Sequence, residues 1–398
     1  MYIHDLNCGW IDHPFARNRF LIDDTAVFNK IIETGVTELY IDTELGLDVR
    51  ATGLMDSEGS SAELEAGAEI VPPVCEQSTF VPKIIANLSP VGKFNHAKAV
   101  CSNASKLMQE IMRDVRLGNQ VDLKQCEPMI DGIVESMYSF PSALLPLAQI
   151  KTRDEYTFQH SVSVAALAVA FGRVLDMPHD EIRQLAMGGL LHDVGKAQVP
   201  GRVLNKPGKL DEAEFALMKS HVVNTAQLIK EVKGISTIAF NAAAQHHERY
   251  DGTGYPNGLK GDEISLHGQM LAIVDVYDAI TSIRVYHKGM PPTEALKKMY
   301  EWSGAHFNPK LVQAFIKGIG IYPAGSLVRM ESDKLGIVRE VVPDRLLQPI
   351  VQLIYDCKKS SHMSPETVDL AASHDKIKSH ESFEKWGIDQ ARWATAHI

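Results

Sequence analysis

The chain has 398 residues, 45% hydrophobic and 23% charged, with a formal net charge of -10 at pH 7. Such a length suits two or three domains rather than one core, and the ordinary charge content excludes disorder as the general state. The acidic balance argues against a protein that grips a long nucleic acid, yet it leaves room for a small phosphate-bearing substrate held by local cations or metals.

The start, MYIHDLNCGWIDHPF, has no basic region followed by an apolar run, so no signal peptide is expected. No stretch reaches the roughly 18 consecutive apolar residues of a membrane span. Five cysteines (Cys8, Cys75, Cys101, Cys126, Cys357) are scattered, with no CxxC. This pattern points to a reducing, cytoplasmic compartment and to cysteines that fill core space rather than bind metal.

Residues 1–50 are expected to form a small α+β regulatory unit. Phe20 to Ile22 and Leu39 to Ile41 suggest strands, with a helical stretch through Val27, Ile31 and Ile32 between them. Residues 51–82 have no Lys or Arg, a Gly-Ser-Ser triplet and paired prolines, which reads as a flexible linker. Residues 83–150 form a helical connector. Val100, Ala104, Leu107, Ile111 and Val115 recur at intervals of four, three, four and four, marking one apolar face of a long helix that ends near Gly118. That face either packs on the next domain or pairs with another chain, a homodimer included. A second helix is expected over Val121 to Met137. Residues 151–340 are expected to hold an almost wholly helical domain with a short β appendage, because Ser326 to Arg329, Leu335 to Val338 and Val351 to Ile354 look like strands. Residues 341–398 form a C-terminal extension, polar and poorly ordered after about Ser360. The fold class is therefore mainly α.

The chemistry is concentrated in His160, His192, Asp193, His221, His246, His247 and Asp275. His192-Asp193 ends the apolar segment LAMGGLL, where polar groups must be desolvated unless something compensates them. His160 shares a helix face with Val164, Leu167, Ala168 and Phe171. His246 and His247 are adjacent, about 100° apart around a helix, and can serve two neighbouring ions. Asp275 lies in the apolar run LAIVDVYDA. Imidazole and carboxylate without thiolate suit Fe, Mn, Co or Zn, and two such ions together are suited to phosphodiester hydrolysis.

The segments HDVGKAQVPGRVLNKPGKL, HHERYDGTGYPNGLKGDEI, IVDVYDAITS and HFNPKLVQAFI stand in this order, with His221 between the first two. Together they resemble the HD-GYP family of the HD phosphohydrolase superfamily, over roughly residues 152 to 340. The first 50 residues look like the domain of uncertain role that often precedes it. The resemblance implies an all-helical HD-type catalytic domain that hydrolyses cyclic di-GMP to linear pGpG and, in some members, GMP. It places two divalent ions, Fe or Mn, on His160, His192, Asp193, His221, His246, His247 and Asp275. Asp193 bridges them, bound hydroxide attacks, and Lys196 contacts the scissile phosphate. The loop Asp251, Gly252, Gly254, Tyr255 and Pro256 names the family. It fixes a turn beside the site or contacts substrate or a protein partner, as the N-terminal unit also can.

Two positions depart from the family. Some members carry a Glu four residues before the first His, which helps hold a third ion. Here that position is Tyr156, and Glu155 is set about 140° from His160 around the helix rather than about 40°. Two ions are therefore expected. The guanine-site segment, typically Arg-Pro-Tyr and a basic residue, here reads Arg284-Val285-Tyr286-His287. Arg284, Tyr286 and His287 are the expected substrate contacts beside Lys196. A weakly active cyclic di-GMP sensor and an HD phosphohydrolase for another nucleotide are the alternatives.

Overall fold

The computed structural model describes residues 2–5, 20–21, 40–41, 90–149, 156–206, 208–284, 287–342 and 345–389. The chain divides into two compact units, Met1–Phe80 and Val81–Ile398. In the first unit, β1 (Tyr2–Asp5), β2 (Phe20–Leu21) and β3 (Tyr40–Ile41) form an antiparallel sheet in the order β2-β1-β3. Its register sets Tyr2 against Leu21 and Ile3 against Ile41. The sequence points to β2 and β3, which lie in short apolar runs, but not to β1, whose His4 and Asp5 break any such run. The expected helix through Val27 and the linker 51–82 lie outside the described residues.

The second unit begins with α1 (Pro90–Arg116), α2 (Leu123–Ser139) and α3 (Pro141–Gln149). Asp122 caps α2 by accepting from the Lys124 backbone N–H at 3.0 Å. The apolar face of α1 is used within this unit. Ala104, Met108, Ile111 and Val115 share a core with Ile130, Ile133 and Met137 of α2. These contacts are the packing reading of that face.

Helix α4 (Tyr156–Val174) is buried nearly all round because two cores meet on it. Val162, Ala165, Ala166 and Val169 face α1, α2 and α5 (His179–Leu191). Val164, Leu167, Ala168 and Phe171 face α9 (Leu266–Thr281), α10 (Pro292–Glu301) and α11 (Pro309–Ile319). Between them come a 3-10 turn (Val194–Gln198), α6 (Gly201–Leu204), α7 (Glu212–Lys230) and α8 (Thr237–Gln245). Asp211 and Glu214 form a reciprocal capping box at the start of α7.

A two-stranded ribbon, β4 (Ile283–Arg284) and β5 (His287–Lys288), follows α9. The β appendage is a five-stranded antiparallel sheet in the order β10-β6-β7-β8-β9. Its strands are β6 (Leu327–Met330), β7 (Lys334–Glu340), β8 (Ile350–Asp356), β9 (Ser361–Asp369) and β10 (Ile377–Glu381). Both faces carry apolar residues. Leu327, Leu335, Ile337 and Ile354 cluster with Ile388, while Val328, Val338, Val351 and Leu353 cluster with Leu370. The segment after Ser360, which composition alone leaves poorly ordered, thus supplies two regular strands. Its polarity belongs to β9, an edge strand whose side chains mostly face solvent.

Candidate metal centre

Five helices and the loops that end them deliver the polar residues to one point. His160 comes from the first turns of α4, His192 and Asp193 from the end of α5, and His221 from the middle of α7. His246 and His247 close α8, and Asp275 stands in α9. Six of these seven are buried and His247 is half-buried. Their donor atoms form three overlapping groups, each within 4.8 Å: His221/His246/His247, His160/His192/Asp275 and His192/Asp193/His246.

Asp193 joins the groups. Its Oδ1 lies 3.3 Å from His221 Nε2, and its Oδ2 lies 3.3 Å from His192 Nε2 and 3.6 Å from His160 Nε2. Asp275 Oδ1 lies 3.0 Å from His160 Nε2, and its Oδ2 lies 3.9 Å from His247 Nδ1. Lys196, one 3-10 turn beyond Asp193, donates to Asp193 Oδ2.

The far nitrogen of three of the rings meets the backbone. Nδ1 of His192, His221 and His246 each meets a backbone carbonyl three residues back, of Gly189, Met218 and Ala243, at 2.7 Å. In a neutral ring that bond places the proton on Nδ1 and leaves the Nε2 lone pair pointing into the cluster. Among the described residues, Nε2 of His192, His221 and His246 and Oδ1 of Asp193 are buried with no hydrogen-bond partner. Unsatisfied acceptors of this kind are costly in a protein interior, and divalent cations would satisfy them. The side chains therefore fit divalent metal ions.

Burial raises the Asp193 carboxyl, but His192, Lys196 and His221 outweigh it and hold it well below its usual range. Asp275 is likewise held well below despite burial, by the His160 hydrogen bond and the surrounding imidazoles. Burial pushes His221 down to about 4 and His247 to about 3, and carries His246 well below its ordinary value. Burial also opposes protonation of His192, but the pull of Asp193 and Asp275 raises it. At neutral pH the cluster therefore offers two carboxylates and at least three neutral imidazoles, which is the protonation state that metal ligation requires.

Three residues that the sequence reading passes over complete the centre. Asp278, buried one turn after Asp275, sits 2.6 Å from His160 Nδ1 and also accepts from Ser163 Oγ. Thr225 Oγ1 donates to the His192 carbonyl at 3.0 Å and accepts from the Gly195 N–H at 2.9 Å, tying the His192 turn to α7. The contact is so close that a Cβ on Gly195 would lie 2.1 Å from the His221 carbonyl oxygen and 2.5 Å from the Thr225 nitrogen. Glu248, 3% exposed, accepts from the backbone N–H groups of Asn257 at 2.8 Å and Leu259 at 3.1 Å. It thereby closes the loop that carries Tyr255.

Within that loop Asp251 accepts from the Thr253 backbone N–H at 2.9 Å and from its hydroxyl at 2.7 Å. Gly254 lies directly on the Glu248–Arg249 backbone, where a Cβ would come within 2.3 Å of the Arg249 nitrogen. Gly252 and Pro256 shape the turn, and Tyr255 alone of the five reaches the site. Its ring lies 4.9 Å from that of His247. Burial pushes its phenol up, with Asp275 and Asp193 adding to the effect, so it stays neutral. Tyr156 stacks on His160 with ring centres 5.8 Å apart. Glu155 and Tyr286 lie outside the described residues, as do the side chains of Arg284 and His287. No described helix is long and apolar enough to cross a membrane.

A family model described as HD domain matches residues 145–311, and one described as a domain of unknown function (DUF3391) matches residues 1–126. The chain is 39% identical over 391 residues to a cyclic di-GMP phosphodiesterase of Pseudomonas aeruginosa, covering 98% of this chain and 91% of that protein. It is 37% identical over 174 residues to a 3'3'-cGAMP-specific phosphodiesterase of Vibrio cholerae, covering 44% of this chain and 38% of that protein. A solved HDG"Y"P protein from Bdellovibrio bacteriovorus aligns with a TM-score of 0.49 at 21% identity, over 57% of this chain and 73% of that one.

Proposed function

The chain belongs to the HD-GYP family of HD-domain proteins, and from that membership and its metal centre we propose that it is a metal-dependent phosphodiesterase that opens cyclic di-GMP. The observation that carries the reading is the set of buried, unpartnered lone pairs on His192, Asp193, His221 and His246. It occurs in a chain that aligns along 98% of its length with a cyclic di-GMP phosphodiesterase.

We assign two ions to the centre, Fe or Mn, held by His221, His246 and His247 on one side and by His160, His192 and Asp275 on the other. Asp193 faces both groups. The donors are nitrogen and oxygen without a thiolate, which suits these metals. The position four residues before His160, where some family members carry a Glu for a third ion, is Tyr156, whose ring stacks on His160. When bound, a divalent pair supplies Lewis acidity toward a phosphoryl oxygen and a water acidified enough to attack.

The protein's own groups do the rest. Water adds to phosphorus, the bond to the ribose 3′ oxygen breaks, and that oxygen takes up the proton, giving linear pGpG and, on a second round, GMP. Lys196 stands on Asp193 at the edge of the cluster, half-buried. Its ammonium balances charge that builds on the phosphoryl oxygens. Asp278 and the three backbone carbonyls keep the imidazoles aimed. Arg284, Tyr286 and His287 are assigned to the guanine side of the substrate. In this reading residues 151–340 carry the chemistry, residues 1–50 regulate it, and the protein works in the cytoplasm.

A panel of cyclic di-GMP, 3',3'-cGAMP, cyclic di-AMP, a deoxynucleoside triphosphate and ppGpp tests the substrate. The highest kcat/KM is expected for cyclic di-GMP, with pGpG as first product. A preference for a triphosphate or ppGpp sinks the assignment, and a preference for 3',3'-cGAMP moves it to the specificity of the Vibrio cholerae relative.

A further inference from the structure

Lys219 stands on α7 two residues before His221, and the proposed chemistry gives it no task. Its ammonium lies 5.2 Å from the centre of the Phe215 ring and 5.7 Å from that of Tyr255. The Tyr255 ring is itself 4.9 Å from His247, so Lys219 is one ring removed from the metal cluster. Among the described residues Lys219 has no carboxylate partner. A lysine usually keeps its charge in open water. This one is half-buried and held against two π faces, one of them 50% exposed. Such a cation is already placed for an anion and loses little freedom on binding one.

A cyclic dinucleotide supplies that anion. It carries two phosphates, and only one can react at the cluster. The other rests elsewhere on a chain of net charge -10, where a phosphate needs a local cation. We propose that Lys219, clamped between Phe215 and Tyr255, binds the non-reacting phosphate of the cyclic dinucleotide. The inference rests on the proposed substrate, because a simple phosphodiester has no second phosphate to bind.

The test compares cyclic di-GMP with bis(p-nitrophenyl) phosphate, which has one phosphate. The full chain is loaded with Mn(II), and metal content is counted in every sample. Lys219→Met keeps the side chain's length and removes the charge. It is expected to raise KM for cyclic di-GMP at least about tenfold while kcat changes by less than about threefold. The ratio of kcat/KM between the two substrates then falls by at least about tenfold. Lys219→Arg restores the ratio. A loss of the same size on both substrates overturns the assignment, as does a fall in metal content that accounts for it, since Lys219 would then act through His221 or Tyr255. An unchanged KM overturns it as well. A wild type that cleaves bis(p-nitrophenyl) phosphate but not cyclic di-GMP overturns the substrate reading and this inference together, whereas an active wild type with an unaffected Lys219→Met removes only the latter.

Discussion

Replacing Asp278 by Asn tests whether the centre depends on a residue that does not itself join the ligand groups. Asp278 is 1% exposed and sits 2.6 Å from His160 Nδ1, with Ser163 Oγ donating to its other oxygen. The carboxylate makes His160 carry its proton on Nδ1, so that Nε2, 3.0 Å from Asp275 Oδ1, is left as a ligand. Asn keeps the shape and one acceptor but loses the charge. A charge-assisted hydrogen bond is about twice as strong as a neutral one, and the amide NH2 must also turn toward one of the two donors. Losing such an outer partner typically costs about 10–100-fold in metal affinity or activity. That range corresponds to about 1.4–2.7 kcal/mol of binding free energy. Titrating metal-free wild type and Asp278→Asn with Mn(II) by calorimetry reads the loss directly, and far-UV circular dichroism confirms that the variant is folded. A folded variant with wild-type Mn(II) affinity and turnover would refute the orienting role.

Four further outcomes are expected. His192→Ala or Asp193→Ala removes a ligand outright, and metal content and kcat both fall beyond the roughly 100-fold limit for an outer partner; full metal content by elemental analysis would contradict this. Lys196→Ala lowers kcat by about 10²–10³-fold with metal still bound, as the loss of one preorganised charge at a phosphoryl oxygen should, and an emptied site would show that Lys196 holds Asp193 instead. Gly195→Ala forces backbone apart at two points, costing about 1–3 kcal/mol or more and lowering Tm, and an unchanged Tm would be inconsistent with the close approach to α7. In metal-free protein, His221 at about 4 and His247 at about 3 lie below their ordinary value of 6.5. The unfolded chain then binds more protons below pH 6.5, so stability is full above that pH and is lost as pH falls toward 3. The depressed Asp193 and Asp275 act in the same direction, and the raised His192 in the opposite one, one group against four. The urea midpoint should therefore be lower at pH 4.5 than at pH 7.5, and equal midpoints would contradict the burial of neutral imidazoles.

The residues of the cluster were legible because histidine and aspartate on apolar helices need compensation that helix packing does not supply. His160, His192 and Asp275 stand out against Val164, Leu190 and Ile273 without any knowledge of the fold. Helix α1 was legible from spacing alone. Asp278 was not, because its partner His160 is 118 positions away, and an aspartate three residues after another reads as one more polar residue. Thr225 and Gly195 meet across 30 positions, and the need for glycine there exists only because α7 passes over the turn. Glu248 follows two histidines in a charged run that looks solvated, and only the folded loop buries it. β9 was hidden for the opposite reason, since an exposed edge strand has no apolar alternation to read.

The central claim is that this cluster is a dinuclear hydrolytic centre for cyclic di-GMP. Its most direct test is hydrolysis of cyclic di-GMP by purified protein reconstituted anaerobically with Fe(II), and separately with Mn(II), with metal counted in the same samples. The account predicts turnover to pGpG with about two ions per chain, the number a two-metal phosphodiester site requires. Two bound ions without turnover, or turnover undiminished after the metal is stripped, would contradict it.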